Sequence, residues 1–394
     1  MSSLRPFRIA VPDQAIDDLR DRLKKSRWPD ELDLGGEDAW SFGTPRAYLE
    51  ALADYWRDGF DWRAAEARIN RFDQYLLAVD GLDTHFIHQR SPHANATPIL
   101  IGHGWPGSIV EFLDVIPRLV EPEKYGGDPA DAFHVVCPSL PGYGYSEGPR
   151  TRGMTPRRIA ECNAALMTAL GYDRFVVQGG DWGAVVGRYM PDVCAERLIG
   201  QHFNLAIPRP PEGVDDPLAI ITPEERKMIE GWGEDEWALT GYYHIQGTKP
   251  QTLAYGLADS PLGLAAWITE KFHGWSHHGG DLRDVISWDD LLANISLYWF
   301  TGTIASSIRL YREHFDILRQ GIMPRAPCEV PTGLAIYPYE IWRQPRAWAE
   351  REYDLVHWYE APRGGHFAAL EQPELFTEDL WAFHRRLREG GKSR

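Results

Sequence analysis

The stretch Phe175-Val176-Val177-Gln178-Gly179-Gly180-Asp181-Trp182-Gly183 runs a short apolar segment straight into an acidic residue bracketed by glycines. A strand that turns this sharply into a helix brings its flanking residues into collision unless they are very small. The pattern Gly-x-Asp-x-Gly is therefore that of an elbow that lifts one side chain, here Asp181, above the edge of a sheet. Beyond it, Gly183, Ala184 and Gly187 allow a helix to pack closely on the sheet, and Pro191 is expected to end that helix. The plainer alternative is an ordinary strand–turn–helix junction with Asp181 as the N-cap.

Read outward from the elbow, the chain keeps the same grammar. Apolar runs at Pro98–Gly102, Phe133–Pro138, Phe175–Gly179 and Leu198–Phe203 each lead into a Gly- or Pro-rich loop, and Ile159, Cys162, Leu166 and Leu170 recur at helical spacing. Continuous apolar strands separated by helices are the mark of a mostly parallel sheet covered on both faces, an α/β fold. From 205 to 325 this alternation gives way to Trp- and Tyr-rich helical periodicity. It resumes with strands at Thr332–Tyr337 and Leu355–Tyr359 and a last helix over Phe376–Leu387. The first ninety residues form a helix capped by Asp13 with Ile16, Leu19 and Leu23 on one face, and a second helix over Tyr48–Trp56. A hairpin follows, turning at Asp80-Gly81 between Leu76–Val79 and Phe86-Ile87. The expected organisation is an N-terminal meander and hairpin (1–95), a core in two parts (96–204 and 326–394), and a helical cap between them (205–325).

The chain has 394 residues, beyond the ~250–300 at which a single core stops growing, so an inserted module is expected. A net charge of −16 argues against nucleic acid or an anionic membrane as partner. No run approaches the ~18 apolar residues of a membrane span, and the start Met1-Ser2-Ser3-Leu4-Arg5-Pro6 lacks the apolar segment of a secretory signal. Cys137, Cys162, Cys194 and Cys328 are too scattered for a disulfide frame or a zinc site, which points to the cytoplasm. A homodimer is the commonest assembly for such a chain.

Two more motifs lie where an elbow needs them. His103-Gly104-Trp105-Pro106-Gly107-Ser108 follows the strand before the elbow. Its position suits a loop that lends a backbone N–H to an oxyanion hole, so the amides of Trp105 and Trp182 are the candidate donors. Gly364-Gly365-His366-Phe367 follows the last strand, where the base stands in the order nucleophile, acid, histidine. The acid belongs after the preceding strand, where Glu340 lies; Asp354 competes but starts a strand, at the wrong end of the sheet. His277, His278 and Asp281 could suggest a metal, yet their polar loop reads as a solvated turn.

With these residues in view the chain resembles the epoxide hydrolases of the α/β-hydrolase fold, in particular the microsomal-like branch and its soluble bacterial members. The resemblance covers almost the whole chain. It rests on the meander, HGWPGS (103–108), PSLPGYGYS (138–146), GGDWG (179–183), Gly241-Tyr242-Tyr243-His244-Ile245-Gln246, Thr248-Lys249-Pro250, Tyr298-Trp299-Phe300-Thr301-Gly302-Thr303, Arg309-Leu310-Tyr311 and GGHFAALEQPE (364–374). It implies that Asp181 attacks an epoxide to form an alkyl ester, and that Tyr242 and Tyr311 protonate the ring oxygen, with Tyr243 as a rival for the first. His366, oriented by Glu340, then activates water to release a vicinal diol. The partners implied are a small-molecule epoxide and water; no metal or organic cofactor enters the scheme. A haloalkane dehalogenase would share the aspartate elbow, and a non-catalytic small-molecule-binding relative would keep only the cavity. Trp232, Trp237, Trp267, Trp275 and Trp299 make the insertion aromatic, which favours aryl or bulky apolar epoxides.

Overall fold

The computed structural model describes residues 3–390, apart from the side chains of residues 37 and 232–239. Nine strands form one sheet: β1 (Arg5–Phe7), β2 (Gln74–Val79), β3 (Leu82–Gln89), β4 (Thr97–Gly102), β5 (Phe133–Pro138), β6 (Phe175–Gly179), β7 (Leu198–Phe203), β8 (Cys328–Ile336) and β9 (Tyr353–Glu360). Their spatial order is β1-β2-β3-β5-β4-β6-β7-β8-β9. The first three strands and the β3–β5 pair are antiparallel, and every pair from β5 to β9 is parallel. This is an α/β-hydrolase fold. Every residue of β5 and of β6 is buried, as a strand covered on both faces requires.

Strand order reverses around β4, which lies between β5 and β6. The crevice beyond the C-terminal ends of strands at such a switch point is where open α/β sheets hold their ligands. Gly102 at the end of β4 pairs with Gly179 at the end of β6, so the two loops that follow emerge side by side. Close packing holds them there: a Cβ on Gly183 would lie 2.0 Å from the carbonyl oxygen of Gly102.

Between β7 and β8 the chain builds the long helices Pro223–Thr248, Pro250–Asp259, Pro261–Trp275, Trp288–Thr301 and Ile304–Arg319. The first three begin on proline, whose fixed φ and missing N–H suit a first helical turn. Thr222 and Ser260 cap the first and third through their side chains. The hairpin turns through Asp80 and Gly81 with positive φ at both, 53° and 79°, as its Asp-Gly pair demands.

Several local readings need correction. Asp13 is the first helical residue, not the cap; Pro12 precedes it and Asp13 pairs with Arg63. The helix after the elbow ends at Gly187, and Pro191 opens the next one, Met190–Cys194, because proline is tolerated in a first turn. Strand β1 has no alternation to reveal it, being three residues long and mostly exposed.

Candidate active site

Asp181 sits at φ 46°, one of two non-glycine residues at positive φ among those described. An aspartate held there costs about 1–3 kcal/mol and persists only where its surroundings impose it. Gly180, not Asp181, is the N-cap of the following helix, and no side chain caps it. The Asp181 carboxylate points instead across to the loop after β4, where its Oδ1 accepts the Trp105 amide at 2.7 Å. The Trp182 amide opens the helix one residue further on, at its positive dipole end.

The inserted helix Trp288–Thr301 clamps that loop. Asn294 donates to the Pro106 carbonyl at 2.7 Å and accepts from the Ser108 hydroxyl at 2.7 Å. Tyr298 donates to the Gly107 carbonyl, also at 2.7 Å. These contacts span more than 180 residues of sequence, so only the folded chain reveals that Asn294 and Tyr298 position the Trp105 amide.

His366 and Glu340 reach the same point from the ends of β9 and β8. Nε2 of His366 lies 3.3 Å from Oδ2 of Asp181. Nδ1–H donates to Glu340 at 2.8 and 3.0 Å from its two oxygens. Both side chains are buried. Burial by itself would depress the imidazole, but the Glu340 carboxylate and the bond to Asp181 overcome it and hold its pKa well above the ordinary value. Asp354, the competing acid, is exposed at the start of β9. The histidine loop is tied down on its far side: the His366 amide donates to the Trp275 carbonyl at 2.9 Å, and Glu371 accepts from the amides of Phe367 and His277. His277 is no solvated turn, since its Nδ1 accepts the Gly364 amide at 3.0 Å and its ring stacks on Tyr339. Among the described residues no cluster of His, Cys, Asp or Glu is arranged to hold a metal.

The three tyrosines Tyr242, Tyr243 and Tyr311 are not equivalent. Tyr242 lies parallel to Trp105, with ring centroids 5.5 Å apart, and edge-on to Tyr311 at 5.8 Å. Tyr311 in turn meets Trp105 and Trp182 edge-on. Its hydroxyl is buried and, among the described residues, makes no hydrogen bond of good geometry, with Trp182 and Tyr242 its nearest polar neighbours. Tyr243 instead donates its hydroxyl to Nδ1 of His314 at 3.2 Å, whose imidazole burial pushes down to about 4 and so keeps neutral. Burial, reinforced by the Asp181 charge, raises the pKa of both Tyr242 and Tyr311 well above the ordinary phenol value. Both remain protonated donors throughout the neutral range.

A cavity of about 370 Å³ opens from Asp181, Tyr242 and Tyr311 toward Leu205, Ile207 and Leu318. Among the described residues its aromatic wall includes Trp182, Tyr189, Tyr243 and Trp342, and not Trp267, Trp275 or Trp299. Trp275 packs against His366 and Tyr242, while Trp267 donates to Gln246 and Trp299 lies under Arg22. The side chains of Trp232 and Trp237 lie outside the described residues.

Residues 4–112 match the family described as epoxide hydrolase N terminus, and residues 97–197 match the alpha/beta hydrolase fold. A protein of Stigmatella aurantiaca, provisionally named an epoxide hydrolase, is 46% identical over 98% of this chain and 86% of its own length. Epoxide hydrolase 1 of Sus scrofa is 36% identical over 97% of this chain and 88% of its own. The crystal structure of juvenile hormone epoxide hydrolase from the silkworm Bombyx mori superimposes with a TM-score of 0.88 at 32% identity, covering 99% of this chain and 96% of that one.

Proposed function

The chain belongs to the epoxide hydrolase family, and from that premise we propose how its residues divide the work of opening an epoxide and adding water. Oδ2 of Asp181 attacks a ring carbon in line with the departing oxygen. A carboxylate suits this displacement because it needs no deprotonation and yields an alkyl ester. Tyr242 and Tyr311 donate to the ring oxygen as charge develops on it, and phenols that resist ionisation hold their protons until that moment. The Trp105 amide already holds Oδ1, which leaves Oδ2 as the attacking atom.

Esterification changes the histidine. While Asp181 is ionised, two carboxylates support a protonated His366. The ester removes one of them, so the imidazole gives up its proton more readily when a base is required. His366 then takes a proton from water, and the water oxygen attacks Cγ of the ester. The oxyanion falls on the amides of Trp105 and Trp182, a term typically worth ~10²–10³ in rate. No step draws on a metal or organic cofactor.

The 370 Å³ cavity and its aromatic wall support aryl or bulky apolar epoxides as substrates. Residues 205–325 act as the cap over the two core segments 96–204 and 326–394, with 1–95 as the meander. Cys137, Cys162, Cys194 and Cys328 are all free and buried, in keeping with a reducing cytoplasm, and no described helix is long and apolar enough to cross a membrane.

The observation that carries this reading is the convergence of Trp105 and His366 on separate oxygens of one strained aspartate. It is tested by exposing His366→Gln to styrene oxide and measuring the intact mass. The expected result is protein plus one epoxide; an unmodified mass would remove His366 as the base.

A further inference from the structure

Asp181 borders a second cavity, of about 10 Å³, which it shares with Gly107, Glu111, Asn204, His366 and Phe367. That is room for a single water, and the polar groups around it are those a bound water needs. Glu111 has no part in the scheme above. It stands on the short turn Ile109–Phe112 that follows the Trp105 loop, fixed by its amide to the Ser108 carbonyl at 3.1 Å. Protein encloses it, yet part of its surface stays open, and the cavity is what it faces. Gly107 makes the space: a Cβ there would fall 1.7 Å from Oε1 of Glu111.

A carboxyl enclosed in protein is unfavourable as an anion unless it stays neutral or finds a partner. Burial pushes Glu111 up to about 8, His366 and a backbone hydrogen bond from Ser108 oppose this, and Asp181 adds to it, so at neutral pH the group is a carboxylic acid that keeps acceptor capacity beyond the Ser108 bond.

We propose that Glu111 holds the hydrolytic water, accepting one of its O–H bonds while the other points to Nε2 of His366 and its oxygen faces Cγ of esterified Asp181. The proposal rests on the reading of Asp181 and His366 given above. In the step itself the water oxygen bonds to Cγ and one proton passes to Nε2. The ester C–O bond then breaks, and the diol oxygen leaves with the electron pair and takes that proton. The second proton, the one Glu111 accepts as a hydrogen bond, stays on the regenerated Asp181 carboxyl. From there it replaces the proton the tyrosines gave to the ring oxygen, and His366, which released its own proton to solvent on esterification, takes one back from solvent to restore the resting enzyme.

The test is single-turnover kinetics on styrene oxide, with ester formation and ester loss followed separately by quenched-flow intact mass. Glu111→Ala should form ester within about twofold of the parent and hydrolyse it roughly 10- to 100-fold more slowly, the scale of a misplaced reactant. Its kcat and KM should fall together and leave kcat/KM nearly unchanged. Glu111→Gln keeps a carbonyl acceptor and should recover most of the hydrolysis rate. Glu111→Met, similar in reach but with only a weak sulfur acceptor, carries the test should the alanine variant not fold. Hydrolysis at the parent rate in the alanine or methionine variant would overturn the proposal while leaving the ester mechanism standing. So would equal slowing of ester formation and hydrolysis, or a glutamine variant as slow as alanine. Absence of ester in every protein, His366→Gln included, would remove the underlying reading as well.

Discussion

The two cavities that meet at Asp181 differ in size and chemistry. One, of about 370 Å³, is walled by aromatic and aliphatic side chains from core and cap, with Tyr242 and Tyr311 at its inner end. The other, of about 10 Å³, is bounded by His366, Glu111 and the glycines of the Trp105 loop. The difference teaches how one carboxylate can serve two reactions. In the mechanism proposed above, the large cavity presents the phenols that would give protons to an oxygen, and the small one the imidazole that would take a proton from water. On that proposal substrate and water would occupy separate spaces, with Asp181, at its strained φ, on the boundary between them.

Variants that break one cavity's chemistry should leave the other's visible. Asp181→Ala removes the shared group and should abolish diol formation, a loss of at least ~10⁴-fold in kcat, with the thermal melt showing an intact fold. Retained turnover by product chromatography would dissolve the whole distinction. Glu340→Gln leaves a side chain of the same shape but no charge to orient and support His366. Ester hydrolysis should slow by about 10²–10⁴-fold while alkylation continues, so the ester should accumulate in stopped-flow mass analysis.

Tyr311→Phe does the reverse. Loss of its hydroxyl should slow ester formation by about 10²-fold and leave the decay of ester, once formed, unaltered. Acidification should separate the same two steps in the parent enzyme. In the ester form His366 has lost the Asp181 carboxylate that helped raise its pKa but keeps Glu340 beside it, so acidification re-protonates the base. Hydrolysis should then fail before alkylation, with ester building up as pH drops. The smallest effect belongs to Tyr243→Phe, whose hydroxyl is engaged by His314. It should alter kcat/KM at most a few-fold, and a loss matching that of Tyr311→Phe would reassign the first cap tyrosine.

Much of this was legible in the sequence because it depends on local necessity. Gly179, Gly180 and Gly183 declare the elbow, continuous apolar runs declare buried parallel strands, and the order Asp181, Glu340, His366 follows from which strand each residue succeeds. Other features were not legible because they depend on approach between distant segments. Nothing near Asn294 or Tyr298 announces that they hold the carbonyls of Pro106 and Gly107. Glu371 looks like any first-turn acid until its carboxylate is found on the amides of Phe367 and His277. Where Trp267, Trp275 and Trp299 would point was not legible for the same reason: helical periodicity says which face of a helix is apolar, not which cavity that face meets. Trp267 and Trp275 pack on neighbours, whereas Trp182 and Trp342 line the cavity.

The ester on Asp181 can be tested without altering the protein. Enzyme in excess over styrene oxide, run for one turnover in water enriched with heavy oxygen, should release a first diol whose new oxygen is light and comes from Asp181. The label should appear in the carboxylate and enter the diol only on later turnovers. Heavy oxygen in the diol of the first turnover would mean that water attacks the epoxide directly, and that Asp181 is never alkylated.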